Sequence, residues 1–330
     1  MENSPIFGLV IILLGGFFEG IFMLPEKWCR GWKFEHVWLM FSFFCYLFLP
    51  WLIVRLGVPD VSAVFAATPK QDLLLMGLYA TGWALAALSF GIGINLIGVS
   101  LGFAIIFGLA AFGGALVPLL TSNLPPRKFL AVVLCLLLML VGVSLCSLAG
   151  KWREQQSSGG YLKGVVFCIV SGLLGATGNM GFVAGSSLVA TARAQGLSLF
   201  AANSLVLAYL CLFMFAFNAG YALFLLVRNS SFRVFFAREG SEYFLFTLLM
   251  GVFWMIGFLS YGYGALALGK LGLSLGWGVF MCTVVASANG VGILTGEWQA
   301  APAAYKRRLA YGLSVLVLAI AGLAASNQIT

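Results

Sequence analysis

Charge is what this 330-residue sequence lacks. Only 8% of its residues are Asp, Glu, Lys or Arg, while 62% are hydrophobic. A soluble domain carries roughly 25% charged residues, so a chain this poor in charge cannot cover itself in water, and lipid is its principal solvent. Histidine is nearly missing too: His36 stands alone, which excludes a histidine-rich metal site. The seven cysteines (Cys29, Cys45, Cys135, Cys146, Cys168, Cys211 and Cys282) include no Cys-x-x-Cys pair and fall mostly inside apolar stretches. They read as small core residues rather than disulfides or metal ligands. Neither GxGxxG nor GxxxxGK[ST] occurs; Gly91-x-Gly93 and Gly276-x-Gly278 stop short of both, so no nucleotide loop, no cofactor and no ATP-driven pumping by this chain alone are expected. Met1–Phe7 holds no Lys or Arg and no small-residue cleavage site follows, so a secretory signal is not expected either. The net charge of +8 comes from 18 basic residues against 10 acidic ones. Those basic residues lie in short loops and form no continuous face, which argues against nucleic acid and makes the charge a matter of membrane topology.

What is present is a succession of long apolar runs. A bilayer core about 30 Å thick needs ~20 apolar residues per helix. Ten runs meet that requirement, at 5–25, 37–57, 72–94, 97–121, 128–149, 161–185, 197–227, 243–267, 271–295 and 308–327. They are continuously apolar rather than alternating, which excludes a strand barrel. The expectation is an all-α polytopic membrane protein of ten transmembrane helices with no separate soluble domain; the 41 glycines suit close helix packing in lipid. Twelve basic residues fall in odd-numbered loops (Lys27, Arg30, Lys33, Lys151, Arg153, Lys163, Arg228, Arg233, Arg238, Lys306, Arg307, Arg308). Six fall in even-numbered ones (Arg55, Lys70, Arg127, Lys128, Arg193, Lys270). The positive-inside rule then puts the odd loops in the cytoplasm and both termini outside.

The polar stretch 151–160 divides the chain into a first half at 1–150 and a second at 161–330, each with five helices. Gly98-Val99-Ser100-Leu101-Gly102 in the fourth run matches Gly272-Leu273-Ser274-Leu275-Gly276 in the ninth, an offset of 174 that also pairs Thr121 with Thr295. An offset of 156 pairs Gly8 with Gly164 and Gly16 with Gly172. A repeat with five crossings must insert its second copy upside down. Two inverted five-helix repeats imply an alternating-access transporter, with its solute site near the midplane between them.

Pro25-Glu26-Lys27-Trp28-Cys29-Arg30-Gly31-Trp32-Lys33-Phe34-Glu35-His36-Val37-Trp38 and the later Leu49-Pro50-Trp51 resemble the bacterial L-rhamnose–proton symporter family. That family carries a Pro, a basic stretch, an aromatic-Glu-x-x-Trp pattern and a Pro-Trp at this place. Further likenesses are Ile97 through Gly102, Trp254 through Tyr261 to Gly264, and Gly296-Glu297-Trp298, so the resemblance spans essentially the whole chain. It implies the ten-helix fold of the drug/metabolite transporter superfamily and secondary transport in the bacterial inner membrane. The chain departs from the pattern at Glu19, where the rhamnose symporters have a small uncharged residue, and at Gly257, where they have a glutamine. The resemblance therefore carries the fold further than the solute.

Glu19 is the one acidic residue well inside an apolar run; the other nine are expected at helix ends or in loops. A carboxylate at that depth costs several kcal/mol if ionised and unpaired, so it takes up a proton, finds a partner or faces a wet cavity. Glu19 is thus the candidate proton-coupling group. The bland alternative is a structural acid bonded to a neighbouring helix or reaching toward Lys27. The resemblance adds that small multidrug exporters of the same superfamily use a glutamate in their first helix for proton coupling. A neutral sugar needs amides or hydroxyls for its oxygens and a flat ring for its C–H face. Asn179, Trp83, Trp254, Tyr261, Tyr79 and Asn289 are the candidates for that work, although a buried asparagine in lipid often serves only to join helices. Trp28, Trp32, Trp38, Trp51 and Trp298 are expected in the interfacial belt.

The leading expectation is a proton-coupled importer of a deoxy sugar such as L-rhamnose, with sugar, proton and bilayer as partners, as a monomer or a homodimer. An exporter of metabolites or drugs is the alternative within the same fold. A non-transporting receptor or scaffold is the alternative outside it, and an intramembrane enzyme lacks a nucleophile–base pair or metal ligands at depth.

Overall fold

The computed structural model describes residues 5–97, 99–122, 124–150, 161–236, 240–269 and 272–326. Within these residues the secondary structure is helical throughout: α1 (Pro5–Ile21), α2 (Phe34–Ser42), α3 (Leu49–Gly57), α4 (Val61–Ala67), α5 (Lys70–Ile97), α6 (Val99–Leu120), α7 (Pro126–Gly150), α8 (Tyr161–Gly175), α9 (Thr177–Ala184), α10 (Ser186–Ala194), α11 (Leu199–Arg228), α12 (Ser241–Ala267), α13 (Gly272–Leu294) and α14 (Ala303–Ser326). Ten stretches are long and apolar enough to cross a membrane, and the protein is an all-helical, multi-pass membrane protein. Each expected run becomes a span, with ends displaced by a few residues. The expected linker at 151–160, Gly98 and Lys270 lie outside the described residues.

Two spans are not simple rods. The second, Phe34–Gly57, is α2 and α3 joined by a π-helical turn at Phe43–Phe48. Pro50 explains it. Proline has no N–H, so the Tyr46 carbonyl four residues earlier loses its α-helical donor. The chain widens instead, and Leu49 N–H reaches back five residues to the Phe44 carbonyl. The sixth span, Tyr161–Ala194, runs nine residues past the end expected for it and is broken at Ala176 and Gly185 into α8, α9 and α10. Loop two holds the short helix α4, where Asp60 accepts from the Ala63 amide at 2.9 Å and from the Ser62 hydroxyl at 2.7 Å. These bonds hold its carboxyl below the usual carboxylate range.

Packing brings distant spans together. α1 lies on α12 and α13, α8 lies on α5 and α6, α7 on α14, α2 on α11, and α6 on α13. Small residues set the closeness. A methyl added at Gly15 would lie 2.7 Å from the Gly257 carbonyl oxygen, and one at Gly8 would lie 2.8 Å from that of Gly264. Gly16 likewise abuts Phe280 and Thr283, and Gly172 abuts Ile106 and Leu109. Without a hydrophobic drive between helices in lipid, such backbone approach is the main source of packing.

Two expectations about exposure change. Trp32 is buried among Phe235, Tyr243, Phe244 and His36, and Trp298 is buried as well, so neither is a belt residue. Glu35 is only 4% exposed; the loop following α11 folds over it and supplies hydrogen bonds from Asn229 and Ser231, each 3.0 Å.

Candidate functional site

The centre of the bundle is a cage of aromatic rings. Trp83 of α5 and Trp254 of α12 stack with centroids 5.8 Å apart and planes at 27°. Phe258, one turn beyond Trp254, lies 4.4 Å from it and 4.9 Å from Trp83. Tyr46 meets Trp254 edge-on at 5.1 Å; the π-helical turn is what aims it there. Tyr261, a further turn along α12, meets Phe182 of α9 at 5.3 Å, and Trp277 and Phe280 of α13 at 5.2 and 4.9 Å. Residues 254, 258 and 261 share one face of α12 because their spacing follows the helical repeat.

Beside the cage lies a layer of side chains bonded to backbone carbonyls. Asn179, fully buried, donates both amide hydrogens, to Gly114 O and to Leu273 O at 2.7 Å each. Its Oδ1 accepts from the Tyr261 hydroxyl. Ser274 donates to Ala115 O at 2.7 Å and Trp277 Nε1 to Ala110 O at 3.1 Å. Asn203 of α11 donates to Leu259 O at 3.1 Å. The first four of these residues tie α6, α9, α12 and α13 together at the end where the even-numbered loops lie. From Gly272 to Val284, α13 is buried at every position except Leu273; from Val285 to Leu294 only Gly292 is. A methyl placed on Gly91 or Gly290, toward the odd-loop end, meets nothing within 4 Å. The even-loop half of α13 is thus the more closely packed, although a cavity of about 310 Å³ lies beside it between Pro5, Leu9, Leu268, Leu275, Val279 and Leu323, and its odd-loop half is partly exposed.

Glu19 sits on α1 at the wall of the cage. Its Oε2 is buried and has no hydrogen-bond partner among the described residues. A methyl on Gly257 would stand 3.1 Å from that oxygen, so the missing side chain at 257 is the space the carboxyl uses.

The structure therefore brings Trp83, Trp254, Tyr261 and Asn179 together, with Glu19 packed against α12 at Gly257. Tyr79 and Asn289 stand apart. Tyr79 contributes its backbone carbonyl, which accepts from the Thr177 hydroxyl at 2.9 Å. Asn289 turns back on its own helix, donating to Val285 O at 2.9 Å. Tyr46, Phe258 and Phe182 are members that the sequence reading passed over; the clue for Tyr46 was Pro50, four residues on. Among the described residues no three His, Cys, Asp or Glu side chains lie close enough to hold a metal ion.

Ten membrane-crossing helices around an aromatic cage, with a buried acid in its wall, define an integral membrane protein organised about a central site. Residues 1–327 match the model of the L-rhamnose-proton symport protein family, and the chain belongs to that family, one of symporters rather than enzymes. It is similar to the L-rhamnose-proton symporters of Pectobacterium carotovorum subsp. carotovorum (strain PC1), 23% identical over 348 residues, and of Yersinia pestis (strain Pestoides F), 25% identical over 341 residues. In both comparisons 97% of each chain is covered. A protein of known crystal structure shares the fold at 13% identity, with a TM-score of 0.60 and 97% of this chain and 96% of that one covered.

Proposed function

We propose that this protein is a proton-coupled importer of L-rhamnose or a related deoxy sugar in the bacterial inner membrane, with both termini periplasmic. It works by alternating access between two inverted five-helix halves, 1–150 and 161–330. The pairing of spans supports the repeat. Exchanging the first five spans with the last five turns the α1–α12 contact into α8–α5, and α1–α13 into α8–α6; it leaves α7–α14, α2–α11 and α6–α13 as they are. The sequence offsets agree: Gly16 against Phe280 and Thr283 corresponds to Gly172 against Ile106 and Leu109, each partner displaced by 174.

The observation that carries the coupling is the buried, unpartnered Oε2 of Glu19. An acid oxygen without a donor is costly to ionise away from water, so its proton leaves or arrives when water or solute reaches it. Alternating access changes which side supplies that water. Trp83 and Trp254 offer stacked ring faces to the C–H side of a sugar. Asn179 and Tyr261 have their hydrogen bonds taken up by α6, α12 and α13 while the even-loop end is closed; opening that end frees an amide and a phenol for sugar hydroxyls. Tyr79 and Asn289 would contribute only after a change of helix packing.

The test is uptake of labelled L-rhamnose into proteoliposomes under an inward proton gradient. Glu19→Gln is expected to lose gradient-driven uptake while keeping sugar exchange at zero gradient. Gradient-driven uptake that survives the substitution removes Glu19 from the mechanism.

A further inference from the structure

The odd-loop end holds a cavity of about 290 Å³, just under the roughly 300–1,000 Å³ that ligand pockets occupy. Its walls include Phe34, Glu35 and Trp38 of α2, Ala87 and Gly91 of α5, and Tyr221 of α11. The first three are the aromatic-Glu-x-x-Trp stretch, which the central cage does not use. Four residues apart on a helix, Phe34 and Trp38 lie one above the other, and their rings stack at 5.3 Å with planes at 20°.

These groups are held in place. Trp38 Nε1 donates to Asn218 Oδ1 at 3.1 Å, and its ring packs on Phe41 at 5.2 Å. Both side-chain donors to Glu35, from Asn229 and Ser231, fall on Oε1, so the carboxylate is fixed in the cavity wall. The neighbouring His36 accepts the Lys33 amide at Nδ1 and hydrogen-bonds the Ser231 carbonyl through Nε2 at 2.9 Å. A fixed acceptor beside a flat ring pair is what a polyhydroxylated ring requires: C–H groups against the aromatic face, O–H donors to the carboxylate. Trp83, Ala87 and Gly91, spaced four apart, form one stripe of α5 that runs from the cage to this cavity.

We infer that this vestibule is a second solute station, which takes a neutral monosaccharide such as L-rhamnose and fills independently of the central cage. The inference rests on the sugar-transport reading above. Ile92 also lines the cavity and is 41% exposed, so Ile92→Cys places a thiol in the station without touching the ring pair or Glu35. Labelling of the purified full-length chain by a polar maleimide is followed with and without L-rhamnose, and the unsubstituted chain supplies the background of its native cysteines. Labelling is expected to slow about tenfold when the sugar stands at about ten times the station's Kd, as mass action requires. The same protection is expected with Trp83→Ala in place, which removes the central platform, or with Trp83→Leu should the alanine variant not fold. Protection that vanishes with the Trp83 substitution means one site and overturns the station. So does absent protection while equilibrium dialysis still shows L-rhamnose bound to the unsubstituted chain, an outcome that leaves the transport reading standing. No binding of L-rhamnose to any form overturns both.

Discussion

The two ends of α13 make different use of the same kind of residue. At the even-loop end Ser274 and Trp277 send their donors across to carbonyls of α6, and Asn179 adds a bond from α9 to the Leu273 carbonyl. At the odd-loop end Asn289 spends its amide on its own helix, and the residues around it are partly exposed. Polar side chains close a helical bundle only where they find acceptors on another helix. The same composition, rotated toward its own backbone, joins nothing to its neighbours.

The largest effect is expected from removing what both ends share. Gly16 touches α13 at Phe280 and Thr283, near its middle. Gly16→Leu should force α1 away and cost about 3 kcal/mol, the upper part of the range for overpacking. A thermal-unfolding curve or the yield of monodisperse protein reads it, and an unchanged curve would mean the α1–α13 contact is not as drawn. Next comes the even-loop end. Asn179→Leu removes its bonds to the Gly114 and Leu273 carbonyls and leaves the Tyr261 hydroxyl only its 3.4 Å contact with Leu273 O, at a cost of roughly 1–2 kcal/mol for interhelical bonds in a membrane. It should also raise the labelling rate of a cysteine placed in the even-loop half of α6. Equal labelling with and without the substitution would deny this end its polar closure. Asn289→Ala should sharpen the contrast by doing almost nothing to the melting curve, since only a bond within its own helix is lost. Smallest of all is Asp60→Ala, which should fray α4 and leave transport intact. Because the Asp60 carboxyl sits below the usual range, its capping is fully present above ordinary carboxylate pKa values. It is lost as pH falls through the lowered one, which amide exchange at Ala63 can follow.

The spans were legible because each is a long apolar run, and length against bilayer thickness settles the matter. Glu19 was legible because a charge inside such a run stands out. The burial of Glu35 was not, since Asn229 and Ser231, nearly two hundred residues away, create it. Nor could sequence separate Asn179 from Asn289. Both lie in apolar helices, and which one faces a neighbour depends on the rotation of each helix, to which a nearly uniform apolar periphery gives no phase. The π-helical turn hides for a related reason: Pro50 announces a lost hydrogen bond, but whether the helix kinks or widens is decided by what Tyr46 packs against.

The partners of α1 carry a consequence for biogenesis. Of the ten spans α1 is made before the other nine, and it packs against α12 and α13, the eighth and ninth, whereas α8, its counterpart in the second half, finds α5 and α6 already in the membrane. The amino-terminal segment must therefore wait in lipid, with its glycine face bare and its lone acid unhoused, until most of the polypeptide has been made. A truncated chain that ends before α12 should leave that segment open to crosslinking with insertion factors, and completing the ninth span should release it.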